Sequence, residues 1–230
     1  MKLTRYLFPV LGALALLVGL AAHTPPRKAL NVLTLGDSNG TYPHSWPKQL
    51  EQALPNTRVF NLSKSGRTIG FVNNGDSSLN SLLVVEENLR KAAEFTRNWP
   101  FDYIVLELGT NDAKAVFADR QQEVPGNLEK LVAHLRQSKY PVLSKARIII
   151  VSPPPQGAKA EATPKYQGGN QRVEHMSQSF REVARRTGCL FVDGYHAPGL
   201  NIETMSADGI HLDAAASQKL MAPVVRLMRP

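Results

Sequence analysis

Hydrophobic and polar positions along this chain follow two alternating periods. Short runs rich in β-branched and other apolar residues appear at Leu30–Leu35, Arg58–Leu62, Tyr103–Leu108, Ile148–Val151 and Leu190–Val192, and these predict strands. Between them, apolar residues recur at three- and four-residue spacing. That period predicts helices over Trp46–Leu54, Leu82–Phe95, Val124–Gln137, Gln171–Thr187 and Ala214–Met228. Strands and helices taking turns predict an α/β fold with a five-stranded parallel sheet covered on both faces. No internal repeat or linker divides the pattern.

The first residues stand apart from it. Lys2 and Arg5 precede an apolar run from Tyr6 to Ala22 that ends in small residues, the layout of a secretory signal. The run is almost the ~18 residues of a spanning helix, so an uncleaved anchor stays open. The expected organisation is a signal peptide or N-terminal anchor over residues 1–22, a short linker over 23–28, and a single domain over 29–230. An exported protein, periplasmic or extracellular, is the expectation.

Composition changes the picture little. With 230 residues and 43% hydrophobic content, the chain can build a sizeable core, which excludes disordered and collagen-like classes. The formal charge of +8 raises nucleic acid as a partner. However, the basic residues are scattered through "RKAAEFTRNW", "RQSKY" and "REVARR" without a dense run or aromatic interleaving, so a solvated surface is the reading. The single cysteine, Cys189, lies in an apolar run and reads as a core residue. His23, His134, His175 and His196 lack metal-ligand spacing, and neither a metal nor a cofactor is expected.

In a parallel sheet, functional residues gather beyond the carboxyl ends of the strands. There the chain carries Gly36-Asp37-Ser38-Asn39 after the first strand and a Gly- and Asn-rich loop from Ser63 to Asn80 after the second. "GTNDAK" follows the third, "SPPPQG" the fourth, and "SADGIHLD" comes after the fifth. A hydroxyl, an amide, a carboxylate and an imidazole thus collect at one rim. Gly36 to Gly40 lacks the Lys-Ser/Thr ending of a P-loop and the three-glycine spacing of a dinucleotide fingerprint.

These blocks resemble those of the SGNH or GDSL hydrolases, serine esterases on a flavodoxin-like three-layer sandwich. "GDSN" resembles the first block, with Ser38 as nucleophile. "SGRT" resembles the second, in which Gly66 offers a backbone amide, and "GTND" the third, in which Asn111 offers its side chain. "DGIHL" resembles the last, with Asp208 and His211 completing a triad. "LGTNDAKAVF", and "VSPPP" followed by Gly168-Gly169, are similar to the bacterial aryl-esterase and acyltransferase branch. Two departures are Asn39, where a leucine usually follows the serine, and the Ser63–Asn80 loop.

The chemistry supports the likeness. A serine hydroxyl needs a base within hydrogen-bond reach, and the base needs a carboxylate to fix its tautomer. Preorganised donors to the developing oxyanion are each worth on the order of 3 kcal/mol. Ser38, Gly66 and Asn111 are the expected donors. Asp37, Asn39, Arg67 and Lys114 are the candidates for substrate contacts, and Asp112 for bracing the loop. Each residue also has a plain structural reading: Asp37-Ser38 as a helix cap, Asn111-Asp112 and Asp208-Gly209 as turns.

The resulting expectation is a metal-independent serine esterase for short-chain, acetyl-type esters, with a small molecule or an O-acetylated carbohydrate as substrate. Nucleic acid is not expected as a partner, and the membrane only through an uncleaved N-terminal segment. Transfer of the acyl group to an alcohol, a non-catalytic carbohydrate-binding protein on the same fold, and oligomerisation stay open.

Overall fold

The computed structural model describes residues 29–96 and 99–229. Five strands, β1 (Leu30–Gly36), β2 (Thr57–Asn61), β3 (Tyr103–Glu107), β4 (Arg147–Val151) and β5 (Leu190–Val192), form one sheet in the order β2-β1-β3-β4-β5. Every pairing is parallel. The flanking helices are α1 (Trp46–Ala53), α2 (Ser81–Thr96), α3 (Val124–Arg136), α4 (Pro141–Ser144), α5 (Ala158–Glu161), α6 (Gly169–Thr187) and α7 (Ala214–Met228).

The pleat explains how one sequence feeds two cores. Alternate residues of a strand point to opposite faces. Leu33, Ile104, Leu106, Ile148 and Ile150 join α2, α3 and α6 in one buried cluster. Their neighbours Val32, Val105, Ile149 and Val151 join Trp46, Leu50, Leu220 and Val224 of α1 and α7 in the other. Central strands buried on both faces therefore read as unbroken apolar runs. Glu107 is the exception, a fully buried acid at the end of β3.

The five predicted strands and five predicted helices are all present, with ends shifted by at most two residues. α6 starts earlier than periodicity placed it because Gly169 sits where a Cβ would come 2.0 Å from Gln156 Oε1; a helix beginning on that glycine has no propensity signal. The pattern did not reveal the 3-10 segment Ala115–Glu123, whose three-residue turn escapes a 3.6-residue template and which buries only Phe117. Cys189, expected in the core, is half-buried beside the glycine that caps α6 and packs against the core from its edge. The predicted signal or anchor lies outside the described residues. Among the described residues no helix is long and apolar enough to cross a membrane.

The sheet order reverses between β1 and β3, and a crevice opens at such a switch point beyond the strand carboxyl ends. The "GDSN" loop follows β1 and the "GTND" loop follows β3, so topology alone brings them together. The Ser63–Asn80 loop is packed rather than loose. Ile69 and Phe71 are buried, the Thr68 N–H donates to the Leu79 carbonyl (2.8 Å), and the Ser81 N–H donates to the Thr68 carbonyl (3.1 Å).

Candidate active site

Ser38 opens a single 3-10 turn, Ser38–Gly40, directly after β1. Asp37 caps it, its Oδ1 accepting from the Asn39 N–H at 2.9 Å. The plain reading of Asp37 as a helix cap therefore holds, and it is the cap that holds Ser38 at the rim. Gly36 and Gly40 are small because Ser63 and Trp46 press against them: a Cβ on Gly40 would lie 2.1 Å from Ser63 Oγ.

The loop between β5 and α7 brings the imidazole. Ser206 bridges to Leu212 and the Asp213 N–H donates to the Met205 carbonyl, closing a tight loop around Asp208 and His211. Gly209 has φ 80° and lies against α5, where the Gly157 N–H donates to the Gly209 carbonyl at 2.8 Å. Asp208 Oδ1 accepts from the Ile210 and His211 amides at 2.9 and 2.8 Å. Its Oδ2 lies 2.5 Å from His211 Nδ1, and His211 Nε2 lies 3.1 Å from Ser38 Oγ. Partial burial of Asp208 opposes ionisation, but the amides and ring of His211 and the Ile210 amide outweigh it and draw the carboxyl down to about 2. An ionised Asp208 accepts a hydrogen bond from the Nδ1–H, which leaves Nε2 to accept from the Ser38 hydroxyl. Tyr42 stands edge-on to the His211 ring, centroids 5.5 Å apart.

The remaining blocks meet this line. Gly66 is the third residue of a turn closed by the Arg67 N–H on the Lys64 carbonyl, and its φ of 79° is what such a turn requires there. Asn111 Nδ2 donates to the Arg67 carbonyl at 3.1 Å, which orients the amide while using one of its two N–H bonds. Asp112 accepts from the Ile69 N–H with both oxygens at 3.0 Å, bracing the loop as expected.

The four residues expected at the substrate make their bonds elsewhere. Asp37 is fully buried beneath the nucleophile loop. Asn39 is buried and bonded to the backbone on either side of His211. Arg67 is buried and donates to the Leu62 carbonyl at 2.8 Å. Lys114 donates to Asn73 Oδ1 at 3.0 Å, and Asn73 Nδ2 in turn donates to the Gly66 carbonyl at 2.6 Å. In this structure Asp37, Asn39 and Arg67 bond to backbone and Lys114 bonds to the Asn73 side chain.

Several groups escaped sequence reasoning. Asn61 Nδ2 donates to the Gly40 carbonyl at 2.7 Å, fastening the nucleophile loop to the end of β2. Glu107 lies close to Asp37, with the Trp46 indole as the polar neighbour of its carboxylate. Burial, and then the neighbouring Asp37 charge, push Glu107 well above the carboxylate range. Burial likewise raises Asp37 to about 6. Burial raises the Tyr166 phenol to about 12, aided by the charges of Asp37 and Asp208. A lone acid in the apolar run "YIVLEL" was a visible signal for Glu107; Asn61 and Tyr166 had none.

Comparison with known proteins bears on the family and the fold. The model of the GDSL-like Lipase/Acylhydrolase family matches residues 31–219, from the first strand into the last helix. No curated protein sequence matches the chain. Among solved structures, a carbohydrate acetylesterase family member from Sinorhizobium meliloti superposes with a TM-score of 0.71 at 26% identity, over 87% of this chain and 99% of that one. A second carbohydrate acetylesterase from Sinorhizobium meliloti gives 0.71 at 20% identity, over 86% of this chain and 97% of the other. The aryl esterase of M. smegmatis gives 0.71 at 21% identity, covering 87% and 99%. The chain belongs to the GDSL-like lipase/acylhydrolase family and is an ester hydrolase of the SGNH type.

Proposed function

We propose that the protein cleaves short-chain, acetyl-type esters on carbohydrate, with Ser38 as nucleophile, His211 as base and Asp208 as its orienting carboxylate. The observation that carries this reading is the continuous line Asp208 Oδ2, His211 Nδ1, His211 Nε2, Ser38 Oγ, with steps of 2.5 and 3.1 Å. Ser38 Oγ attacks the ester carbonyl while its proton passes to His211 Nε2. The amides of Ser38 and Gly66 and the free N–H of Asn111 receive the developing oxyanion. Collapse expels the alcohol, which takes the proton from His211. Water then attacks the acyl-enzyme with His211 again as base, releasing the carboxylate and restoring Ser38.

The carbohydrate acetylesterases among the structural neighbours support the substrate class. Lys2 and Arg5 ahead of an apolar run support export, which would bring the enzyme to extracellular or envelope polysaccharide. The test is hydrolysis of p-nitrophenyl esters from acetyl to octanoyl, and acetate release from acetylated xylo-oligosaccharides, by the protein and by Ser38→Ala. Serine-dependent rates that fall with chain length, together with acetate release, support the proposal. Activity that survives in Ser38→Ala refutes the nucleophile, and a preference for octanoyl refutes the acyl class. Added alcohol in the same reaction separates transfer from hydrolysis, because an acceptor-derived ester appears only with transfer.

A further inference from the structure

Asn39 is next to Ser38 in sequence, yet its side chain belongs to the opposite loop. It is buried to 1% exposure. Its Nδ2 donates to the Ile210 carbonyl at 3.2 Å, and its Oδ1 accepts from the Leu212 N–H at 2.9 Å. Those two backbone groups flank His211. An asparagine amide carries one donor edge and one acceptor edge, so it pairs with this carbonyl and amide much as a neighbouring strand would. The side chain thereby closes a ring in which one path joins Ser38 to His211 through Oγ and Nε2, and the other through Asn39 and the backbone around His211.

We infer that Asn39 is a positioning residue: it clamps the His211 loop to the nucleophile loop and so sets the distance between Ser38 Oγ and His211 Nε2. The inference rests on the proposed roles of Ser38 and His211. Other hydrogen bonds on the histidine loop, among them Gly157 on Gly209, Lys159 Nζ on the Ala207 carbonyl at 3.1 Å and the Ser206–Leu212 bridge, do not involve the nucleophile loop. Between the two loops the Asn39 amide thus adds two hydrogen bonds to the Ser38–His211 bond and to the edge-on contact of Tyr42 with the His211 ring. Asn39 is also buried, with each edge of its amide turned to the backbone around His211, which directs the side chain away from the substrate contacts expected of it.

A clamp and a substrate contact lose different kinetic constants. A contact shared by ground and transition states raises KM, whereas a misplaced base lowers kcat. The experiment compares Asn39→Leu, which loses both bonds, with Asn39→Asp, which keeps an acceptor for the Leu212 N–H but no longer donates to the Ile210 carbonyl. Ester hydrolysis, the rate of Ser38 labelling by a fluorophosphonate, and thermal melting are measured on each. A loosened base costs kcat about 10- to 100-fold in Asn39→Leu, with KM within about twofold and labelling slowed in parallel. Asn39→Asp falls between it and the wild type. Wild-type kcat and labelling in folded Asn39→Leu overturn the clamp, as does a rise in KM alone, or a loss of activity that only tracks the unfolded fraction. Ser38→Ala in the same series separates the two readings: if it keeps activity and labelling, the nucleophile assignment has failed and not the clamp.

Discussion

Replacing Gly40 by alanine tests why the nucleophile loop carries no bulk. Gly40 does not have positive φ, so alanine adds no backbone strain and the effect is purely one of space. The new Cβ would lie 2.1 Å from Ser63 Oγ, 2.5 Å from Ser63 Cβ and 3.3 Å from Trp46 Nε1. Carbon atoms settle at about 3.5–4.0 Å, so one partner must retreat by about 1 Å. The Ser63 hydroxyl can rotate away, but its Cβ follows a backbone whose N–H donates to Asn61 Oδ1 at 3.0 Å, and Trp46 is fully buried. The Ser38–Gly40 turn therefore gives way. Overpacking of this kind costs about 1–3 kcal/mol of stability. A misplacement of about 1 Å at reacting groups costs about 100-fold in rate, or about 2.7 kcal/mol. The expected result for Gly40→Ala is a roughly 100-fold loss of kcat with KM nearly unchanged, measured on p-nitrophenyl acetate. Ser63→Gly removes both clashing atoms, and Ser63 Oγ is buried without a hydrogen-bond partner, so that change forfeits no side-chain bond. The double variant should recover at least about tenfold in kcat, a coupling within the range of about 0.5–3 kcal/mol seen for touching residues. Wild-type kcat in Gly40→Ala, or a double variant no more active than the single, would refute the steric account.

Three further outcomes follow from the site. Asp208→Asn should lower kcat by about 10³–10⁴ while the protein melts normally, because the neutral amide no longer selects the tautomer that leaves Nε2 free; a loss below tenfold counts against the orienting role. Lys114→Met should lower kcat about tenfold without raising KM, since the ammonium holds Asn73 and Asn73 holds Gly66; raised KM at constant kcat would instead make Lys114 a substrate contact. Burial raises Asp112 from 3.8 to about 7, against the pull of the Ile69 and Gly70 amides. Between those values the folded chain keeps a proton that the unfolded chain has lost, so stability falls as pH rises through that window, by up to roughly 4 kcal/mol from this group. Asp112→Asn should therefore lose less melting temperature than the wild type between pH 5 and pH 8, and an equal or steeper loss contradicts the assignment.

Strands and long helices were legible because their periods are set by burial on one face or two, and burial depends on local composition. The site blocks were legible for a related reason: parallel topology sends every strand's carboxyl end to one rim, so Ser38, Gly66, Asn111 and His211 needed only to follow their strands. The supports of the site were not legible. Asn39, Asn61 and Asn73 act through bonds from side-chain amides to backbone, and in Asn39 the partner lies 171 residues away. Composition marks such residues as ordinary loop asparagines. Only the closed fold shows that the polar residues of these loops spend their hydrogen bonds on one another, leaving Ser38 and His211 as the pair at the rim.

The chain contains its own control for how far a motif carries. Asp193-Gly194-Tyr195-His196 repeats the pattern of Asp208-Gly209-Ile210-His211, and it makes the same Asp–His contacts although Gly194 lacks the positive φ of Gly209. The His196 N–H donates to Asp193 Oδ1 at 3.1 Å, and Nδ1 lies 3.0 Å from Oδ2. What differs is the surroundings. Asp193 also pairs with Arg181 at 3.0 Å and accepts from the Ser177 hydroxyl at 2.8 Å, so its charge is committed to α6 and the end of β5. The His196 side chain is 63% exposed, against 35% for His211, and Tyr195 meets its ring rather than a serine. Four residues of sequence thus suffice to build a carboxylate-oriented imidazole twice. They become a candidate base once, where Asn39 and the Gly157–Gly209 bond carry the second turn across to the switch point and set it against Ser38.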